Sequence, residues 1–211
     1  MVDFDSMLTQ ILSGEAVTED PEQSRILDAA RAEFVSHGFR RAAVADIAKR
    51  AKVSRQTLHR RCGDKDEIIS AVIVREVLHF FFEIGSGVPP GLAPEERNVE
   101  LFVTGMRACQ QNPIVAAIKE YEPERFSFHS FGEAPEGYSV IRTLLALQIA
   151  PERMAAAERA VELMVRITAT LLLSPTPVFP MDTDDDTRAF ARTYFLPIIA
   201  AAFAQDDLEN A

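Results

Sequence analysis

The chain has 211 residues, 47% of them hydrophobic, a formal net charge of −10 at pH 7 and two cysteines. This is ample material for a folded core, in one large domain or two small ones, and it excludes an intrinsically disordered chain. Cys62 and Cys109 show neither CxxC nor metal-ligand spacing, which argues against a disulfide scaffold or a cysteine metal site and fits a reducing cytoplasm; no cofactor is expected.

The charge is unevenly spread. Residues 1–20 carry five acidic side chains and no basic one. Residues 21–75 carry twelve Lys or Arg against seven Asp or Glu, and residues 76–211 carry ten against twenty. A cationic module on an anionic body fits one polyanion-binding face. Residues 1–20 are expected to be a flexible acidic leader. The start MVDFDSMLTQ has no basic region followed by an apolar core, so no signal peptide is expected. The apolar runs at 77–84 and 198–204 are too short for a bilayer span, and no membrane partner is expected.

A first helix has Asp20 as its cap and Pro21 at its first position. Ile26, Leu27, Ala30, Phe34 and Val35 recur with helical period, and Gly38 closes the helix as a left-handed residue. A second helix covers 44–51, with Val44, Ile47, Ala48 and Ala51 as its buried stripe. A tight turn at Lys52-Val53 follows, and Ser54 caps a third helix through Arg61. Gly63-Asp64 breaks that helix, and Asp64 caps a long apolar helix over 65–84. The Gly-Pro-rich stretch 85–91 reads as a loop. Further helices are expected over 94–111, 113–121, 138–150 and 151–173. Residues 122–137 read as irregular, and the three prolines of 174–180 as a stop. Asp182–Asp186 then cap a last helix to about residue 205, with acids at its positive end. No stretch alternates with period 2, so the fold class is all-α.

The segment 44–65, VADIAKRAKVSRQTLHRRCGDK, carries the chemistry. Two short helices meet at a tight turn, and the basic and hydrogen-bonding side chains lie on the second. That is the form of a helix-turn-helix, whose second helix enters the DNA major groove by its N-terminus. Val53 is the apolar plug between the helices, and Ala48 is small where they cross. The turn needs a positive φ near Lys52, where lysine costs about 1 kcal/mol. Arg55 can read guanine, Gln56 adenine, and the Thr57 methyl can touch thymine. Leu58 points to the core. Ser54, His59, Arg60, Arg61 and Lys65 are placed to meet phosphates, and free N–H groups at the start of the fourth helix offer a further phosphate site.

These residues resemble the N-terminal domain of TetR-family transcriptional repressors. The matching pieces are ILDAARAEFVSHGFR, VADIAKRAKVS, TLHRR and DKDEII, within residues 26–72. The family's usual aromatic pair on and after the third helix is His59 and Cys62 here. Ala42 and Ala43 stand where a Thr or Ser usually caps the second helix and touches a phosphate, and Ala43 is counted with the phosphate contacts on that likeness. The resemblance implies a helix-turn-helix domain over 21–65 and a larger helical ligand-binding and dimerisation domain over 66–211. It implies a homodimer on a palindromic operator, since one helix-turn-helix reads about one half-site. The dimer surface is expected on the last two long helices, at Ala156, Ala160, Met164, Ile167, Leu171, Ile198 and Ala202. An implied effector cavity for an apolar or aromatic molecule is expected among Phe102, Met106, Tyr121, Phe126, Phe128, His129, Tyr138, Met164 and Arg166.

The function expected is therefore a dimeric cytoplasmic DNA-binding regulator, a repressor released by a small molecule. The alternatives are a helical adaptor without a DNA role and, behind it, an enzyme. Against the enzyme stands the lack of a nucleophile elbow, a Gly-rich phosphate loop or HExxH.

Overall fold

The computed structural model describes residues 20–126 and 136–209. The acidic leader up to residue 19, Phe128, His129 and the side chains of Phe126 and Tyr138 lie outside the described residues. The described elements are helical: α1 Pro21–Arg41, α2 Val44–Arg50, α3 Arg55–Cys62, α4 Lys65–Gly87, α5 Pro94–Gln111, α6 Pro113–Tyr121, α7 Glu136–Ile149, α8 Met154–Leu173, α9 Asp184–Phe190 and α10 Leu196–Glu209. Single 3₁₀ turns occupy Pro123–Phe126 and Pro151–Arg153. The expected loop at 85–91 begins later than the glycines suggested, because α4 runs on through Gly87.

The helices form two compact units, one within residues 1–79 and 111–127, the other within 80–110 and 128–211. In the first, Ile26, Ala30, Phe34, Phe39, Ile47, Leu58 and Ile68 are fully buried. Burying each of the larger of these, the Ile, Leu and Phe side chains, contributes about 1.5–3 kcal/mol. This core takes in Ile114 and the flank of Ile118, and α6 packs on α1. Gly38 interrupts α1 with φ 74° and ψ 166°. The positive φ is as expected, but ψ is extended and the chain resumes one helical turn through Arg41.

The peptide of Arg40 after this kink is held on both sides. Its N–H donates to the buried carboxylate of Glu122 at 2.7 Å, and its carbonyl accepts from Lys65 Nζ at 2.8 Å. The Arg40 side chain pairs with Glu124, and the Arg41 guanidinium lies over the Tyr121 ring at 5.1 Å.

The second unit is built on α5, α7, α8, α9 and α10. Met106, Leu172, Met181, Phe190 and Phe195 form one buried cluster, flanked by Phe102, Cys109, Met164, Ile167, Leu171 and Ile198. A single wide π-turn, Ala191–Phe195, joins α9 to α10. Residues five apart on a regular helix point about 140° apart. The wide turn brings Phe190 and Phe195 to one face, with rings 5.2 Å apart, where both meet Phe102. Arg188 donates to Glu100 at 2.6 Å and ties α9 to α5. That hydrogen bond holds the Glu100 carboxyl below its ordinary value. Thr183, rather than the acids after it, caps α9 through Asp186 N–H at 3.1 Å; Asp184, Asp185 and Asp186 occupy the first turn.

Ala156 and Ala160 are fully buried within the chain. They leave no surface for a second copy, which corrects their expected place in a dimer interface. Small side chains let α8 come close to α7 and α10. Met164, Ile167, Leu171 and Ile198 also spend their inner faces on the unit's own core.

Candidate nucleic-acid interface

The interface is built from α2, α3 and the turn between them. Ala51 N–H donates to Ile47 at 2.9 Å, and Val53 N–H reaches back to the Ala48 carbonyl at 3.0 Å. Closing that loop requires Lys52 at φ 56°, the only positive φ among described non-glycine residues. Lys52 is exposed, so its side chain does not offset the backbone cost. Lys52→Gly should therefore raise stability by roughly 0.5–1 kcal/mol, read as a higher thermal midpoint.

Ser54 caps α3: its Oγ accepts from Thr57 N–H at 3.0 Å and lies 2.9 Å from Thr57 Oγ1. Leu58 is fully buried between α1 and α2, while Val53 and Cys62 pack at the rim of the same core. With that side of α3 anchored, Arg55, Gln56, His59 and Arg60 face solvent and Thr57 is half-buried. Four cationic or hydrogen-bonding side chains thus project from two turns of one short, capped helix. Guanidinium and amide groups so displayed can pair bidentately with base edges, and a helix of this length fits a major groove. Behind it, Glu33 on α1 accepts from Arg50 Nε at 2.7 Å and lies 3.3 Å from His37 Nδ1, tying the end of α2 to α1.

Three expected phosphate groups are already engaged. Arg61 pairs with Asp20 and Glu22 at the start of α1. Lys65 Nζ is bound to the Arg40 carbonyl. The first amides of α4 are not free: Asp66 and Glu67 N–H both donate to Asp64 Oδ1, at 2.9 and 3.0 Å. Glu67 accepts from Asp64 N–H at 2.9 Å in return. This reciprocal cap fills the helix start with carboxylate and corrects the expectation of an open phosphate site there. Ala43 stands exposed before α2 with no side-chain cap.

Of the expected effector residues, Phe102, Met106 and Met164 meet in one apolar cluster. Arg166 is paired with Glu162 on its own helix. Tyr121 belongs to the other unit, under Arg41. Sequence reasoning missed Phe190 and Phe195, the cluster's largest buried members. The two lie five residues apart, a spacing that a regular helix splits between two faces. Desolvation pushes the Cys109 thiol up to about 11, so at neutral pH it is an apolar filler rather than a nucleophile.

Residues 26–72 match the profile of the family described as bacterial regulatory proteins, tetR family. An uncharacterized HTH-type transcriptional regulator of Mycobacterium tuberculosis H37Rv, Rv1255c, is 28% identical over 183 residues, covering 85% of this chain and 86% of its own. Among solved structures, the TetR family repressor AlkX from Dietzia sp. strain DQ12-45-1b superposes with a TM-score of 0.59 at 19% identity. It covers 85% of this chain and 95% of its own. The fatty acid degradation regulator FadR from Bacillus halodurans gives 0.61 at 16% identity, over 86% and 96%. At these identities the two structures speak for the fold alone.

Proposed function

We propose that this chain, which belongs through residues 26–72 to the tetR family of bacterial regulatory proteins, is a cytoplasmic homodimeric repressor that reads a palindromic operator and releases it on binding a small apolar or aromatic molecule. The observation that carries the reading is α3. Leu58 fixes its inner side and Ser54 its N-terminus, and Arg55, Gln56, His59 and Arg60 project from the opposite side. Arg55, Gln56 and Thr57 are the base contacts in this account; Ala43, Ser54, His59 and Arg60 meet phosphates. Fluorescence anisotropy on duplex DNA tests it: a sequence-independent affinity at low salt would overturn the reading.

Dimerisation is supported by an apolar stripe on α10. Pro197, Ala200, Ala201, Ala204 and Leu208 recur at helical spacing and are exposed, as is Leu163 on α8. Stripes of this kind pair helices into four-helix bundles. A charge in that seam has no partner across a two-fold axis. Ala201→Glu is expected to shift the monomer–dimer equilibrium at least about tenfold towards monomer and to weaken operator binding with it. Sedimentation reads the first effect, and an unchanged mass would remove α10 from the interface.

The effector proposal rests on the cluster around Phe102, Met106 and Met164, whose aromatic ring offers an apolar face and whose flexible thioethers adapt to a ligand. A ligand that favours one arrangement of the two reading heads over another by a few kcal/mol would empty the operator.

A further inference from the structure

Arg61 ends the basic run of α3 beside Arg60 and, unlike the exposed Arg60, is occupied. Its Nε donates to Glu22 Oε2 at 2.8 Å, and its Nη1 lies 3.0 Å from Asp20 Oδ2. One guanidinium thus faces two carboxylates, and its charge is compensated in the free protein, with Arg25 3.9 Å from Glu22 on the far side. Asp20 and Glu22 open α1, and Asp3, Asp5, Glu15 and Glu19 precede them with no Lys or Arg between. The acid pair at the start of α1 thus stands at the edge of the basic helix α3. A guanidinium fork accepts carboxylate and phosphate oxygens alike. All three side chains are 30–43% exposed, and ion pairs at such exposure exchange readily because they are weak.

We propose that Asp20 and Glu22 are an autoinhibitory phosphate mimic, held on Arg61 in the free protein and displaced by a duplex phosphate on binding. The contact lowers affinity for DNA of any sequence and withholds one phosphate contact per protomer until it opens. The proposal rests on α3 being the DNA-facing helix.

The test uses the full chain and a random-sequence 30-bp duplex, titrated over a series of KCl concentrations. Asp20→Asn with Glu22→Gln removes both charges while Asn keeps the helix cap. The double variant is expected to bind about threefold to tenfold tighter at low salt. Its slope of log K against log[KCl] should steepen by about 0.9 per protomer. With Arg61→Gln already present, the gain should fall to less than half. No gain, or an equal gain in both backgrounds, overturns the proposal. Arg60→Ala separates the two readings. If it leaves binding unchanged, α3 does not face DNA and the parent reading fails; if it weakens binding while the double variant gains nothing, only the mimic fails.

Discussion

Arg55→Ala combined with Gln56→Ala is expected to abolish preference for the operator while leaving binding to unrelated duplex largely intact. Each bidentate base contact is worth about 1–3 kcal/mol of discrimination, and a dimer presents each residue twice. Affinity for the selected site should fall by at least about 100-fold. The loss should not come from unfolding. Both side chains are exposed on α3, and the helix remains fixed by Leu58 and the Ser54 cap. Anisotropy titrations with the selected duplex and a scrambled one check this. A variant that keeps its preference would move base reading to other residues; an adaptor without a DNA role would keep its partner and show no preference at the outset.

Gly38→Ala is expected to cost about 3 kcal/mol of stability. Two terms contribute. At φ 74° and ψ 166° the backbone sits in a region essentially reserved for glycine, worth about 1–3 kcal/mol of strain. An added Cβ would also lie 2.7 Å from Tyr121 Cβ and 3.1 Å from the Glu122 carboxylate, an overpacking that costs about 1–3 kcal/mol where neighbours cannot move. The carboxylate is held by the Arg40 N–H, so relieving the clash would loosen that bond. In a chain of this size the thermal midpoint should drop by about 6–12 °C. A drop below about 2 °C would mean that the kink relaxes freely and that Glu122 does not fix it.

The sequence made the reading head legible because its signals are local. The helix-turn-helix form located the positive φ near Lys52, and Ser54 was recognisable as a cap from its place before RQTL. Asp64 was legible as a cap, but its reciprocal partner Glu67 was not, and that pair fills the helix start where a phosphate site is expected. What stayed hidden depends on partners far apart in sequence. Nothing in the sequence of α6 indicates that it joins the core of α1, because burial of Ile114 in the cluster that holds Phe34 is a tertiary fact. Arg61 reads as a free cation until Glu22, thirty-nine residues earlier, is found beside it. The alanines of α8 suit a dimer seam and a close helix crossing equally well by composition. Their complete burial decides for the crossing. The aromatic core around Phe195 was obscured by the π-turn, which breaks the very period used to read a helix face.

On the proposed function, two copies of α3 read two related half-sites. Selection of bound sequences from a random duplex library by the 211-residue chain tests this. The expected result is enrichment of an inverted repeat whose half-site centres lie about one helical turn, or a multiple of it, apart, and loss of that enrichment with Arg55→Ala and Gln56→Ala. Recovery of no motif at low salt, or of a motif that survives both substitutions, would contradict it.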